Sequence, residues 1–239
     1  MLVITLDDPA RHNAYDGPGL KAIAAAGAEL DDDAELRCGV IRGEGDAAFC
    51  SGADVGAVAS GGFSDSPYPE LAEGFSRKPM VAAIDGICLG GGMMIATGAD
   101  LRIAGSSSVF GLPEARWNYP AQWLGALARQ VSPTHALELA LLADEQLPAG
   151  RLAEMGWINS VVPDGTAADQ ALQWAARIGS LAPGAISRFK ELIRFAAWNS
   201  PADALALGHR HAAELMQMAD TIEGGTAFLE GRPPVFTDE

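Results

Sequence analysis

Apolar and polar positions along the chain fall into two kinds of segment. Short apolar runs rich in β-branched residues, "LVITL" at 2–6, "CGVIRG" at 38–43, "MVAAID" at 80–85 and "DLRIAG" at 100–105, predict strands. Longer Ala/Leu-rich segments separate them through about residue 111, the alternation of an α/β core. Beyond about residue 122 the period lengthens. There "LARQVSPTHALELALL", "AADQALQWAARIGSLA" and "ISRFKELIRFAAW" repeat apolar residues at three-to-four spacing and predict helices. The expected organisation is an α/β core over 1–180 followed by a helical C-terminal region over 181–239. The stretch "SGGFSDSPYPE" at 60–70 is dense in Gly, Ser and Pro and predicts a mobile loop, and no repeat of fixed period is visible.

Within this pattern, "CLGGGMMIATGADLRIAG" at 88–105 puts three glycines in front of an apolar helical run. The spacing excludes the obvious nucleotide motifs. A GxGxxG fingerprint starting at Gly90 needs glycine at position 95, which is Ile95, and no GK[ST] follows. Glycines without a Cβ can instead expose backbone N–H groups to a ligand oxygen, and a helix that starts just after them adds partial positive charge. A second glycine-containing loop, "AAFCSGADVG" at 47–56, could supply another N–H. Two such donors would hold an enolate or a tetrahedral oxyanion. Ordinary tight turns are the alternative for both loops.

Composition narrows the partners. Sixteen basic against 31 acidic residues give a net charge of -15, the wrong sign for nucleic acid and unfavourable for any anionic ligand without local cations. No run reaches the roughly 18 to 20 apolar residues of a membrane helix, so no membrane association and a cytoplasmic location are expected. Cys38, Cys50 and Cys88 are odd in number and far apart, which suits reduced thiols and neither disulfides nor CxxC metal spacing; no metal site is expected. There is also no GxSxG elbow and no HExxH.

The runs "ITLDDPARHNAY", "GVIRGEGDAAFCSGAD", "KPMVAAIDGICLGGGMMIATGADLRIA", "FGLPEARW" and "LPAGRLAEMGWINSVVP" follow one another in an order that resembles the enoyl-CoA hydratase/isomerase (crotonase) superfamily. The resemblance runs nearly end to end and includes the terminal "AFLEGRPPVF". It implies a spiral of ββα units with a helical trimerisation region, a homo-trimer or dimer of trimers, and an acyl-CoA thioester as substrate. Coenzyme A then enters as part of the substrate, with no tightly bound cofactor.

Carried over residue by residue, the resemblance makes Ala53 and Gly91 the two amide donors. Hydratases of the family carry two glutamates, one in GGGxE and one in GxPE. Here those positions hold Met94 and Glu114. A thioether transfers no proton at neutral pH, so Glu114 is the expected sole general base and acid, with Met94 expected to line the acyl pocket. Asp54 and Gly90 flank the donors, and Trp117 and Tyr119 stand where the family has small residues; all four are expected to meet substrate. Arg11 is the expected contact for the CoA phosphates, with Arg77, Lys78 and Arg232 more remote. Double-bond isomerisation is the first reading. Hydration or dehydration with one glutamate, a catalytically silent thioester-binding subunit, and thioester hydrolysis or decarboxylation are the alternatives.

Overall fold

The computed structural model describes residues 1–61, 63 and 70–237, and most of the run expected to be a mobile loop lies outside them. In chain order the strands are β1 (Leu2–Leu6), β2 (Gly39–Gly43), β3 (Ala48–Cys50), β4 (Met80–Ile84), β5 (Ile87–Leu89), β6 (Leu101–Gly105), β7 (Val109–Gly111), β8 (Leu147–Pro148) and β9 (Ser160–Val162). They form two sheets. The larger runs β1-β2-β4-β6-β9 and is parallel throughout; the smaller runs β3-β5-β7-β8, with only β8 antiparallel. The helices are α1 (Gly17–Asp32), α2 (Val55–Ala59), α3 (Gly91–Gly98), α4 (Leu124–Gln130), α5 (Pro133–Leu141), α6 (Ala149–Glu154), α7 (Ala167–Gly179), α8 (Pro183–Ala196), α9 (Pro201–Leu215) and α10 (Ala219–Glu230).

The inner strands of the larger sheet, β2, β4 and β6, are covered on both faces, which is why they read as nearly continuous apolar runs. Val40, Val81, Ala83 and Ile103 pack with Ala167, Ala171 and Ala175 of α7. The alternate residues Ile41, Ala82, Ile84 and Ala104 join the main core. The four strands expected from sequence are β1, β2, β4 and β6. β9 falls in the half that the sequence reads as helical, because three residues are too few to show a period.

The run 127–142, expected as one helical pattern, is two helices. α4 stops at Gln130, and Ser132 caps α5 by accepting from the His135 N–H at 3.3 Å. Pro133 at the first position of α5 has no N–H to continue the earlier helix.

The connectivity contains a structural repeat. β2 and β3, β4 and β5, and β6 and β7 each place their first strand in the larger sheet and their second in the smaller. In the first two pairs a helix follows directly, α2 and then α3. The units begin at residues 39, 80 and 101, so unequal spacing hides the repeat from a search at fixed period.

α8 docks on the end of the larger sheet through Asp100. Its carboxylate accepts from Lys190 Nζ at 2.7 Å, from Arg194 at 2.9 Å and from the Met80 N–H at 2.8 Å. No described helix is long and apolar enough to cross a membrane.

Candidate active site

Three parallel strands of the smaller sheet end side by side, with Leu89 of β5 level with Gly111 of β7 and Cys88 with Cys50 of β3. The loops beyond carboxyl ends of parallel strands are where α/β folds gather ligand-binding groups. Here the chain passes from β3 into Ser51–Asp54, from β5 into Gly90 and Gly91, and from β7 into Leu112–Glu114. One repeated feature of the fold thereby brings three separated sequence motifs into one place.

The glycines are tightly filled by the protein itself. Gly90 adopts φ 51° and ψ -120°, a conformation that favours glycine, and a Cβ there would stand 3.0 Å from Glu114 Oε1. A Cβ on Gly91 would overlap the Tyr15 hydroxyl, and one on Gly92 would overlap the Cys50 carbonyl oxygen. Gly91 is the first residue of α3, where an N–H has no intrahelical partner, and no side chain caps this helix. Its other end is secured by buried Arg102, which donates to the Ala96 and Ala99 carbonyls at 3.0 and 2.9 Å.

The peptide at Ala53 is set by a short parallel bridge to Tyr15. The Tyr15 N–H donates to the Gly52 carbonyl at 3.0 Å, and the Asp54 N–H donates to the Tyr15 carbonyl at 2.8 Å. In this pattern the Ala53 N–H points away from Tyr15. Asp54 then starts α2 by accepting from the Ala57 N–H at 2.7 Å, and Arg11 donates to its other oxygen at 2.8 Å. These bonds, the Ala57 N–H first, hold the Asp54 carboxyl below its ordinary value.

Glu114 sits in the first turn of a 3-10 segment, Pro113–Trp117, that ends at Asn118 in a left-handed conformation. The Asn118 and Tyr119 N–H groups both bond the Glu114 carbonyl, so Tyr119 is folded back towards it. Oε2 of Glu114 is buried with no hydrogen-bond partner among the described residues, and burial raises the carboxyl above its ordinary value. A carboxyl in that setting is poised to accept and release a proton nearer neutrality than a surface glutamate.

A cavity of about 440 Å³ joins these groups, with Ala53, Gly90, Gly91, Glu114, Trp117 and Tyr119 in its lining. Ser51, Gly52, Val55, Val58 and Tyr15 also line it and were not assigned from sequence; Tyr15 lies in the quoted "RHNAY" motif, whose tertiary neighbour is not legible there. Glu114 is the single carboxylate among the described lining residues.

Three expected contacts lie elsewhere. Met94 does not line the cavity; it is fully buried in the core, because α3 is enclosed on every side. Asp54 and Arg11 stand behind the Ala53 loop, outside the lining, and pair with each other. Arg11 also bonds Asp8 at 2.7 Å, and its two carboxylate partners, Asp8 first, hold its proton more tightly than usual. The remote cations are engaged too: Arg77 with Asp31, Lys78 with the Asp33 and Leu36 carbonyls, and Arg232 with Glu223 and Glu230. Burial pushes the Cys50 thiol up to about 12, so it is neutral beside the loop. Among the described residues no group of His, Cys, Asp and Glu is placed to hold a metal.

A two-sheet α/β spiral whose parallel strand ends present two loop amides and a buried carboxyl defines the class of protein. The sequence model of the enoyl-CoA hydratase/isomerase family matches residues 1–239, and the chain belongs to that family. Enoyl-CoA hydratase EchA19 of Mycobacterium tuberculosis is 32% identical over 98% of this chain and 92% of its own. Mevalonyl-coenzyme A hydratase SIDH of Beauveria bassiana is 32% identical over 100% and 91%. A crystal structure of enoyl-CoA hydratase from Mycobacterium tuberculosis superimposes with a TM-score of 0.90 at 32% identity, covering 99% of this chain and 95% of that one.

Proposed function

We propose that this chain is an enzyme of acyl-CoA thioesters, in which the Ala53 and Gly91 N–H groups hold the thioester oxygen and Glu114 is the base. Glu114 removes a proton from the α-carbon of a 3-enoyl thioester, the negative charge passes to the oxygen between the two amides, and the same carboxyl returns the proton to the γ-carbon. The double bond moves and no atom is gained or lost. Preorganised amide donors supply several kcal/mol to such a step because the charge develops where they already point. The observation that carries the reading is the single buried carboxyl beside Gly90, with one oxygen unpartnered and no second carboxylate among the described lining residues.

Hydration or dehydration is the second reading, favoured by the names of the relatives, which are hydratases. In that case Glu114 alone orients the water and transfers its proton. Saturated, 2-enoyl and 3-enoyl CoA thioesters incubated in heavy water and read by mass spectrometry decide between them. Isomerisation moves the double bond, with deuterium taken up as far as the Glu114 proton exchanges with solvent before its return, and hydration adds the mass of heavy water. Binding with no moved double bond, no added water and no deuterium incorporation overturns both in favour of a silent thioester-binding subunit.

The trimer or dimer of trimers belongs to the same proposal. It is supported by exposed apolar side chains on the C-terminal helices, among them Phe189, Ile193, Leu205, Ile222 and Phe228. Light scattering behind gel filtration measures it, and a monomer overturns it.

A further inference from the structure

We propose that Tyr15 is the positioning residue that sets the two amide donors against each other, its backbone fixing Ala53 and its hydroxyl seating Gly91. The inference rests on the reading of those two amides as the oxyanion donors. It deepens that reading by asking what holds two loops, 38 positions apart, against each other.

Tyr15 belongs to neither loop and touches both. Its N–H and C=O clasp the peptide groups on either side of Ala53, at 3.0 Å to the Gly52 carbonyl and 2.8 Å from the Asp54 N–H. Its side chain crosses to the other loop. A Cβ on Gly91 would overlap the phenol oxygen and stand 2.6 Å from Cζ. The hydroxyl end therefore occupies the space that a side chain would take at the first position of α3. The ring is 5% exposed and meets Phe63 edge to face, with centroids 6.0 Å apart.

The mounting is rigid on both sides of the residue. Asn13 Nδ2 donates to the Ala48 carbonyl of β3 at 2.7 Å and to the Glu44 carbonyl at 3.1 Å. Asp16 caps α1 by accepting from the Gly19 N–H at 2.8 Å. Tyr15 thus sits on a segment tied to β3 and α1, and it spans the gap between a loop beyond β3 and a loop beyond β5. Amide donors aimed at developing charge lose their effect steeply with distance and angle, so the contact that sets their separation acts on the turnover step more than on substrate capture.

The test is Tyr15→Phe, which removes one oxygen and keeps the backbone clasp and the ring against Phe63. With a thioester that the wild type turns over, kcat is expected to fall about 10- to 100-fold while KM stays within about threefold. The infrared carbonyl stretch of bound butanoyl-CoA is expected to be shifted to lower frequency in the wild type and to move back towards its free value in the variant. The melting temperature is expected to stay within about 4 °C. Unchanged kcat with a full carbonyl shift overturns the proposal, and so does a parallel fall in kcat, substrate affinity and melting temperature, which is the mark of general support. A wild type that does not shift the carbonyl of bound butanoyl-CoA overturns the amide-donor reading and this inference together; a shift equal in both proteins overturns Tyr15 alone.

A second pair of variants guards the result. Gly91→Ala places a methyl where the phenol stands, and adding Tyr15→Leu to it vacates that space. Recovery of part of the lost kcat in the double variant is expected; a loss equal to the product of the two single losses overturns the contact as the positioning element.

Discussion

Four of the five strands in the larger sheet have five residues each, and in β2, β4 and β6 side chains on both faces are buried. In the smaller sheet β3, β5 and β7 have only three residues each, and each leads within two residues to the cavity lining, at Ser51, Gly90 and Pro113. The same ββα unit builds both. Both strands of each unit bury apolar side chains, Phe49 and Phe110 among them in the smaller sheet; what the second adds is the direction in which a loop leaves the sheet. The candidate chemistry thus gathers beyond the ends of the second strands, and substitutions there and inside the larger sheet should have opposite signatures.

The largest effect is expected from Glu114→Gln. Turnover of a thioester substrate should fall about 10³-fold, within the range of lost general acid–base catalysis, with binding of butanoyl-CoA retained. Stability should move the other way. Burial raises the Glu114 carboxyl in the folded state, so the folded chain holds this proton more tightly than the unfolded one. Ionisation then costs stability above the raised value, and the cost disappears as pH falls through it. At neutral pH the glutamine variant should melt at or above the wild type. The acid limb of kcat/KM in the wild type should lie above the ordinary carboxylate range, and a limb at or below that range would remove Glu114 as the titrating base.

Ile103→Ala, in the larger sheet, gives the converse. The side chain is fully buried between the sheet and α7, and its truncation should cost about 2–5 kcal/mol in urea unfolding. Turnover of the protein that remains folded should be unchanged. A fall in kcat at full foldedness would mean that the two sheets are coupled more tightly than their separate packing implies.

Gly91→Ala lies between these extremes. The new methyl overlaps the Tyr15 hydroxyl and displaces a proposed donor, so kcat should drop about 10²-fold. Overpacking should add a stability cost of about 1–3 kcal/mol. Kinetics and melting on the same preparation check both.

The contrast between the sheets also explains what the sequence makes legible. Val81, Ala82, Ala83 and Ile84 declare a strand because both faces of β4 are covered and nothing polar interrupts the run. Three-residue strands such as Ala48–Cys50 carry too few positions for any period, so the sheet that holds the site was not visible as a sheet. Its loops were, through their glycines and through motif order, which led to Ala53, Gly91 and Glu114. Gly90 and Gly91 suggested a close approach to the backbone; what approaches in this structure is Glu114 and Tyr15, partners distant in sequence. Met94 lies in the core outside the cavity lining for the same kind of reason. Spacing places it near the start of α3, but only tertiary packing tells that every face of that helix is enclosed.

The smallest effect concerns Arg11, and it tests how the chain meets a polyanionic substrate at a net charge of -15. Read from sequence, Arg11 is the cation nearest the donors. In the fold its two carboxylate partners, Asp8 three residues away and Asp54 43 residues away, already claim it. An exposed pair of this kind contributes little to stability, and its field on a nearby phosphate is largely cancelled. Arg11→Ala should therefore change KM less than about threefold, and the Asp54 cap to Ala57 should survive because it does not pass through the guanidinium. The dependence of KM on salt should have the same slope in the variant and the wild type. A shallower slope would show that Arg11 leaves its carboxylates to take a phosphate when the substrate arrives. The loop behind Ala53 would then belong to substrate recognition as well as to donor placement, and the division between the two sheets would need a third party.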